Sequence, residues 1–100
     1  PYLGGPDYQS LKVLEAWNQI FADFKAKNLL VKGVTIDDRG AWQVTLDNDI
    51  VLKLGRGDWK PKLDRFVTIY PQIEVPEGKR IDYVDLRYAS ASAAVGLTEK

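Results

Sequence analysis

The tightest constraint in this sequence is a pair of alternating runs joined by a turn. Trp42, Val44 and Leu46 alternate with Gln43 and Thr45, and Ile50, Leu52 and Leu54 alternate with Val51 and Lys53. A period of two sends successive side chains to opposite faces, so each run predicts a strand with one buried face. Between them, Asp47-Asn48-Asp49 supplies residues that tolerate left-handed backbone. Residues 42–54 are therefore expected to form a β-hairpin.

The flanking segments extend this into a fold class. Leu11, Leu14, Trp17, Ile20, Phe21 and Phe24 recur at helical spacing and predict an amphipathic helix. Asp7 is its expected N-cap, Lys25 and Lys27 suit its negative end, and Asn28 is its expected stop. Residues 30–37, with Val34 and Ile36 alternating, read as a third strand. After the hairpin, Gly55-Arg56-Gly57-Asp58 breaks the pattern. Asp58 is placed to cap a second helix that tolerates Pro61 in its first turn and shows Leu63, Phe66, Val67 and Tyr70 as its stripe. Pro71 is expected to push Tyr70 out of helical geometry and end it. Residues 1–6 read as a lead-in and 76–78 as a loop. Residues 81–88 have strand composition, and 89–96 are small and uncharged. The expected class is α+β: a mainly antiparallel sheet, two helices packed on one side, and a C-terminal edge strand open for partner pairing.

Composition narrows the function classes. One hundred residues with 45% hydrophobic content make one domain, residues 1–100, with a modest core. Fourteen basic and fourteen acidic residues leave no net charge, which counts against nucleic-acid binding. With no Cys and no His, thiol nucleophiles, disulfides, Cys/His zinc sites and a Ser-His-Asp triad are ruled out within this chain. The opening Pro-Tyr-Leu-Gly-Gly and the absence of Met read as a piece of a longer protein. No apolar run is long enough to span a bilayer. No cofactor is called for.

Several constellations have two readings. Asp47 and Asp49 could form a cation site or an acid/base pair, but a hairpin turn wants these residues for backbone reasons alone. Gly55-Arg56-Gly57-Asp58 superficially suggests a phosphate loop or an adhesion tripeptide; it lacks the Lys-Ser/Thr ending of a phosphate loop, and a capped strand-to-helix turn is favoured. Trp17 and Trp42 fall on apolar stripes and read as core, whereas Trp59 lies off its stripe and reads as partly exposed. Residues 81–96 are the best interaction candidate. Edge strands are usually guarded by Lys, Pro or inward charges. Residues 90–96 carry none of these, and small side chains let another backbone approach. Arg87 and Tyr88 are residue types enriched at binding hot spots. A frayed Ala/Ser-rich terminus explains the same composition, and on these residues alone the two readings stand level.

Three stretches carry a family resemblance. Residues 42–50 (Trp-Gln-Val-Thr-Leu-Asp-Asn-Asp-Ile), 52–58 (Leu-Lys-Leu-Gly-Arg-Gly-Asp) and 83–88 (Tyr-Val-Asp-Leu-Arg-Tyr) resemble the β domain of the FtsQ/DivIB family of bacterial cell-division proteins. The Tyr70-Pro71 helix ending and the Leu3-Gly4-Gly5-Pro6 opening are similar too, so the resemblance covers nearly the whole chain in order. It is closest to Gram-negative members.

The resemblance implies a non-enzymatic scaffold of the divisome. Family members have a cytoplasmic tail, one membrane span, a POTRA domain and this β domain on the periplasmic side of the inner membrane, at the septum. The implied partner is FtsB, bound by strand addition at the last strand, with FtsL engaged through FtsB or directly, to regulate septal cell-wall synthesis. Carried over by position, Tyr88 matches the main FtsB hot spot, Arg87 matches a contact to FtsB carboxylates, and Arg39 matches another arginine at that interface. Ser90, Ala93, Ala94 and Val95 match the receiving edge, while Tyr83 and Leu86 are expected to be structural. The sequence departs from the family at residues 89–92, one residue longer than the usual Asn-Gly turn, and at Leu97, where many members have an aromatic residue. These departures leave the register of the last strand open. The competing expectation is a carboxylate-dependent cell-wall hydrolase using Asp47/Asp49 or Asp82/Asp85.

Overall fold

The computed structural model describes residues 2–87 and 93–100. Six strands form one sheet in the order β1-β2-β3-β4-β5-β6: β1 Tyr2–Gly4, β2 Val31–Ile36, β3 Trp42–Leu46, β4 Val51–Gly55, β5 Lys79–Asp85 and β6 Ala94–Glu99. Helix α1 (Ser10–Lys25) connects β1 to β2, and α2 (Lys60–Ile69) connects β4 to β5. Both helix-bearing connections join parallel neighbours, and the other three pairings are antiparallel. Strands β2 and β4 each pair antiparallel with β3, so they run the same way and both crossovers step across the sheet in one direction. Right-handed crossovers then place both helices on the same face.

The register lines up an apolar row across the whole sheet: Leu3, Val34, Val44, Leu52, Val84 and Val95. The central four are completely buried under α1 and α2, whereas Val95 is 37% exposed because the helices stop short of β6. Phe66 of α2 is fully buried, and its ring stacks on Phe24 of α1 with centroids 6.1 Å apart, which closes the core between the helices.

The hairpin forms as expected, with a three-residue loop. Asp49 N–H donates to the Leu46 carbonyl at 2.9 Å, and Asp49 takes the left-handed conformation at φ 69°. Asn28 also acts as the predicted stop. It sits at φ 61°, while Leu29 N–H donates back to the Phe24 carbonyl and Asn28 N–H to that of Lys25, the Schellman pattern.

Four local expectations need correction. Residues 2–4 are not a plain lead-in but strand β1, parallel to β2. Helix α1 buries Val13, Ala16, Ile20 and Phe24, leaving Leu11 69% and Leu14 46% exposed. The small Ala16 lets the helix sit close to the sheet, and the larger leucines are rolled outward. Asp7 does not cap α1: it starts a 3-10 turn (Asp7–Gln9), and the Ser10 hydroxyl donates to its carbonyl. Tyr70 keeps right-handed helical geometry; Pro71, lacking the N–H that would continue the ladder, lies in a 3-10 turn (Tyr70–Gln72) that tightens the chain out of α2. Asp58 does serve the start of α2, from one residue further out than a standard cap, accepting Lys60 N–H at 3.1 Å.

Candidate functional site

One end of the sheet gathers most of the predicted site. Arg39 stands in the connection from β2 to β3. There the Asp37 carboxylate accepts the N–H groups of Arg39 and Ala41, each at 2.9 Å, and Gly40 adopts φ 84°. Hydrogen bonding from Ala41, joined by that from Arg39, holds the Asp37 carboxyl below its ordinary range. The tip of this turn is therefore fixed, and the exposed Arg39 side chain projects from a rigid base.

Arg87 follows β5 at the same end. Leu86 N–H donates to the Lys53 carbonyl at 2.8 Å, so pairing with β4 continues right up to Arg87. Gly55, at φ 73°, makes room for it: a Cβ there would lie 3.2 Å from Arg87 Cγ, so the arginine stem crosses over a glycine. Its guanidinium forks onto Asp85, with Nε at 2.9 and 3.1 Å from the two carboxylate oxygens and Nη2 at 2.7 Å; Arg87 N–H adds a bond at 3.0 Å. Asp85 is buried, while the Arg87 side chain is 51% exposed. The Arg87 side chain is the main reason the Asp85 carboxyl lies below its ordinary range, with Lys53 adding a smaller attraction.

Asp85 belongs to the open face of the sheet, opposite the helices. The register here runs Gly4, Thr35, Gln43, Lys53, Asp85, Ala94, and a groove of about 630 Å³ lies over the first four of these, lined also by Gly5, Gly55 and Arg87. Arg39 and Arg87 flank β3 and β4, which puts their backbones on the order of 10–15 Å apart at ~4.8 Å per strand.

Strand β6 forms the adjoining rim. It pairs antiparallel with β5 and, among the described residues, with no other strand. Its pairing settles the register: Ala94 opposite Asp85, Val95 opposite Val84, Gly96 opposite Tyr83, then a bulge at Asp82 and Leu97 opposite Ile81. Ala93 is half-buried, and Ala94, Val95 and Leu97 are exposed. The strand's charge is confined to Glu99 at its far end, which pairs with Lys79. Arg39, Arg87, Ala93, Ala94 and Val95 thus share one end of the sheet. Tyr88 and Ser90 lie outside the described residues.

Sequence reasoning missed the groove residues Lys53 and Gly55 and the role of Asp85 as the seat of Arg87. Asp85 was readable: Asp and Arg two apart on an extended chain share a face. The proposed carboxylate pairs are not poised as acid and base. Asp49 pairs with Lys32, which holds its carboxyl low, and Asp85 pairs with Arg87. Among the described residues no cluster of three potential metal ligands occurs.

Known proteins similar to this chain include several bacterial cell-division proteins. The sequence model of the family described as "Cell division protein FtsQ/DivIB, C-terminal" matches residues 1–87. The cell division protein FtsQ of Haemophilus influenzae is 73% identical over 100 residues, covering all of this chain and 39% of that protein. FtsQ of Actinobacillus pleuropneumoniae is 57% identical over 98 residues, covering 98% of this chain and 42% of its own length. FtsQ of Escherichia coli is 42% identical over 99 residues, covering 96% of this chain and 36% of its own length. The chain therefore spans about two-fifths of the length of the curated relatives it matches.

Proposed function

Starting from the FtsQ/DivIB family of cell-division proteins, to which this chain belongs, we propose that it is a non-enzymatic divisome module that captures FtsB along the outer edge of β6. The observation that carries this reading is an edge strand with an uncharged, small-residue start lying next to a seated arginine. Backbone N–H and C=O groups on the outer side of β6 supply affinity by pairing with an extended segment, as in strand addition generally. Arg87 and Arg39 select carboxylates on that segment. Tyr88, next in sequence to Arg87, is the expected hot spot, and Ser90 is a further expected contact by family resemblance. FtsL joins through FtsB or directly. The site of action is the periplasmic side of the inner membrane at the septum, where the assembly regulates septal cell-wall synthesis.

Titration with an FtsB C-terminal peptide tests this reading. Tyr88→Ala is expected to weaken binding by more than ~2 kcal/mol, the hot-spot threshold. Arg87→Glu is expected to lose most affinity at low salt, where screening is weakest. Near-equal affinities for Tyr88→Ala and wild type would overturn the assignment.

A further inference from the structure

The middle of β6 is held by a contact that does not belong to the core. Tyr83 projects from β5 onto the open face, opposite Gly96. A Cβ built on Gly96 would lie 2.0 Å from Tyr83 Cε2 and 2.4 Å from its Cδ2 and Cζ, so the ring fills the space above residue 96. The Lys53 ammonium sits 4.3 Å from the centroid of the same ring. Lys53 belongs to β4, so the contact spans three adjacent strands. The bulge at Asp82 produces this alignment, because β5 advances two residues there while β6 advances one.

This matters because the other side-chain restraint across β5 and β6 is at the far end, where Lys79 and Glu99 pair in solvent. Strand β6 has one neighbour among the described strands, and the helices do not cover its apolar row. Its own residues 94–98, Ala-Val-Gly-Leu-Thr, carry no charge, and Val95 and Leu97 are exposed, so neither face is strongly specified. Strands of this kind specify register weakly. Gly96 is the single glycine of β6. A slip of one would bring Val95 or Leu97 opposite Tyr83, and a slip of two would bring Ala94 or Thr98. Each carries a Cβ that the ring excludes.

We propose that Tyr83 is a positioning residue: lying across Gly96 and beneath Lys53, its ring locks the register of β6 and so decides which backbone groups the edge presents to an incoming strand. This rests on the edge-binding reading above for its consequence, but the lock itself is a property of the chain alone. An aromatic ring covering a cross-strand glycine is a known way of pinning a sheet edge.

The test is a mutant cycle read by amide hydrogen exchange in β6 and in β3, alongside affinity for the FtsB C-terminal peptide. Tyr83→Phe keeps the ring and is expected to match wild type in both. Tyr83→Ala is expected to speed β6 exchange at least tenfold, leave β3 exchange unchanged and weaken peptide binding at least tenfold. Gly96→Ala alone is expected to do the same. Added to the Tyr83→Ala background, Gly96→Ala should cause no further loss, since the space is then empty. Unchanged β6 exchange in Tyr83→Ala overturns the lock, as does an equal rise in β3, which would mark a general loss of stability. Full peptide affinity in Tyr83→Ala overturns the positioning role while leaving edge binding intact. A wild-type chain that binds no peptide overturns the edge-binding reading, and β6 exchange still decides the lock.

Discussion

Val34, Val44, Leu52 and Val84 run across the helix-covered face of the sheet, and Thr35, Gln43, Lys53 and Asp85 run across the open face one residue away on each strand. The first row is fully buried. In the second, Thr35, Gln43 and Lys53 line a groove, and Asp85 seats Arg87, which lines it too. The difference teaches how labour is divided in a one-sided sheet. Where helices exclude water, transfer of apolar area supplies stability and any well-packed hydrophobe serves. Where they do not, side chains are chosen for geometry: glycine to admit a neighbour, a carboxylate to aim a cation, an aromatic ring to block a slip. At β6 the two patterns meet, because Val95 and Leu97 continue the apolar face beyond its helical cover, at 37% and 43% exposure.

The comparison breaks most directly at Phe66. Its ring is fully buried and stacks on Phe24, so Phe66→Ala removes a core contact between the two helices over the sheet. The expected loss is about 3–5 kcal/mol, the range for a large aromatic truncated in a packed core, measured by urea denaturation. Peptide affinity of the folded fraction should be unaffected. A loss below ~1 kcal/mol would mean that the site relaxes and that the covered face is not the seat of stability.

The same division explains what could be read from sequence. The hairpin was legible because its alternation and its turn residues agree, and α2 because Leu63 and Phe66 are both large and correctly spaced. The face of α1 was not. Leu11 and Leu14 outweigh Val13 and Ala16 in hydrophobicity, yet the helix turns its smaller residues inward because close approach to β2 needs them there. That preference belongs to the tertiary contact and leaves no local mark. Strand β1 was missed because three residues in a parallel pair have neither a turn signal nor a full alternation. On the open face the cluster of Arg39, Arg87 and the β6 edge was reached through family likeness, since residues 39, 87 and 94 meet only by topology. The Asp85–Arg87 fork was the exception, written in a spacing of two.

That fork gives the next prediction. Asp85 ionises more readily in the folded chain than an ordinary carboxyl, because Arg87 holds its charged form. It therefore stabilises the fold fully above the usual carboxyl range, and this contribution is lost as pH falls through the lowered folded value. Asp85→Asn should cost about 1–2 kcal/mol near neutral pH, since hydrogen bonds to charge are strong but the guanidinium is half in solvent. The gap between variant and wild type should close as pH drops below about 4. A gap that stays constant from pH 7 to 3 would show that the loss is one of shape and not of charge.

The smallest effect is expected from the ion pairs that face water on both sides. Lys32 and Asp49 link β2 to the hairpin loop, with side chains 51% and 65% exposed. Their attraction works through water and salt, and holding two long side chains together costs rotamer freedom that offsets much of it. Lys32→Ala should leave the thermal midpoint at 0.15 M salt within measurement error of wild type, even though Lys32 is what holds the Asp49 carboxyl low. A clear drop would mean that the loop geometry depends on this pair, not on the left-handed Asp49 and its bond to Leu46. In that case stability would extend beyond the covered face, and the division drawn between the two faces of the sheet would be too sharp.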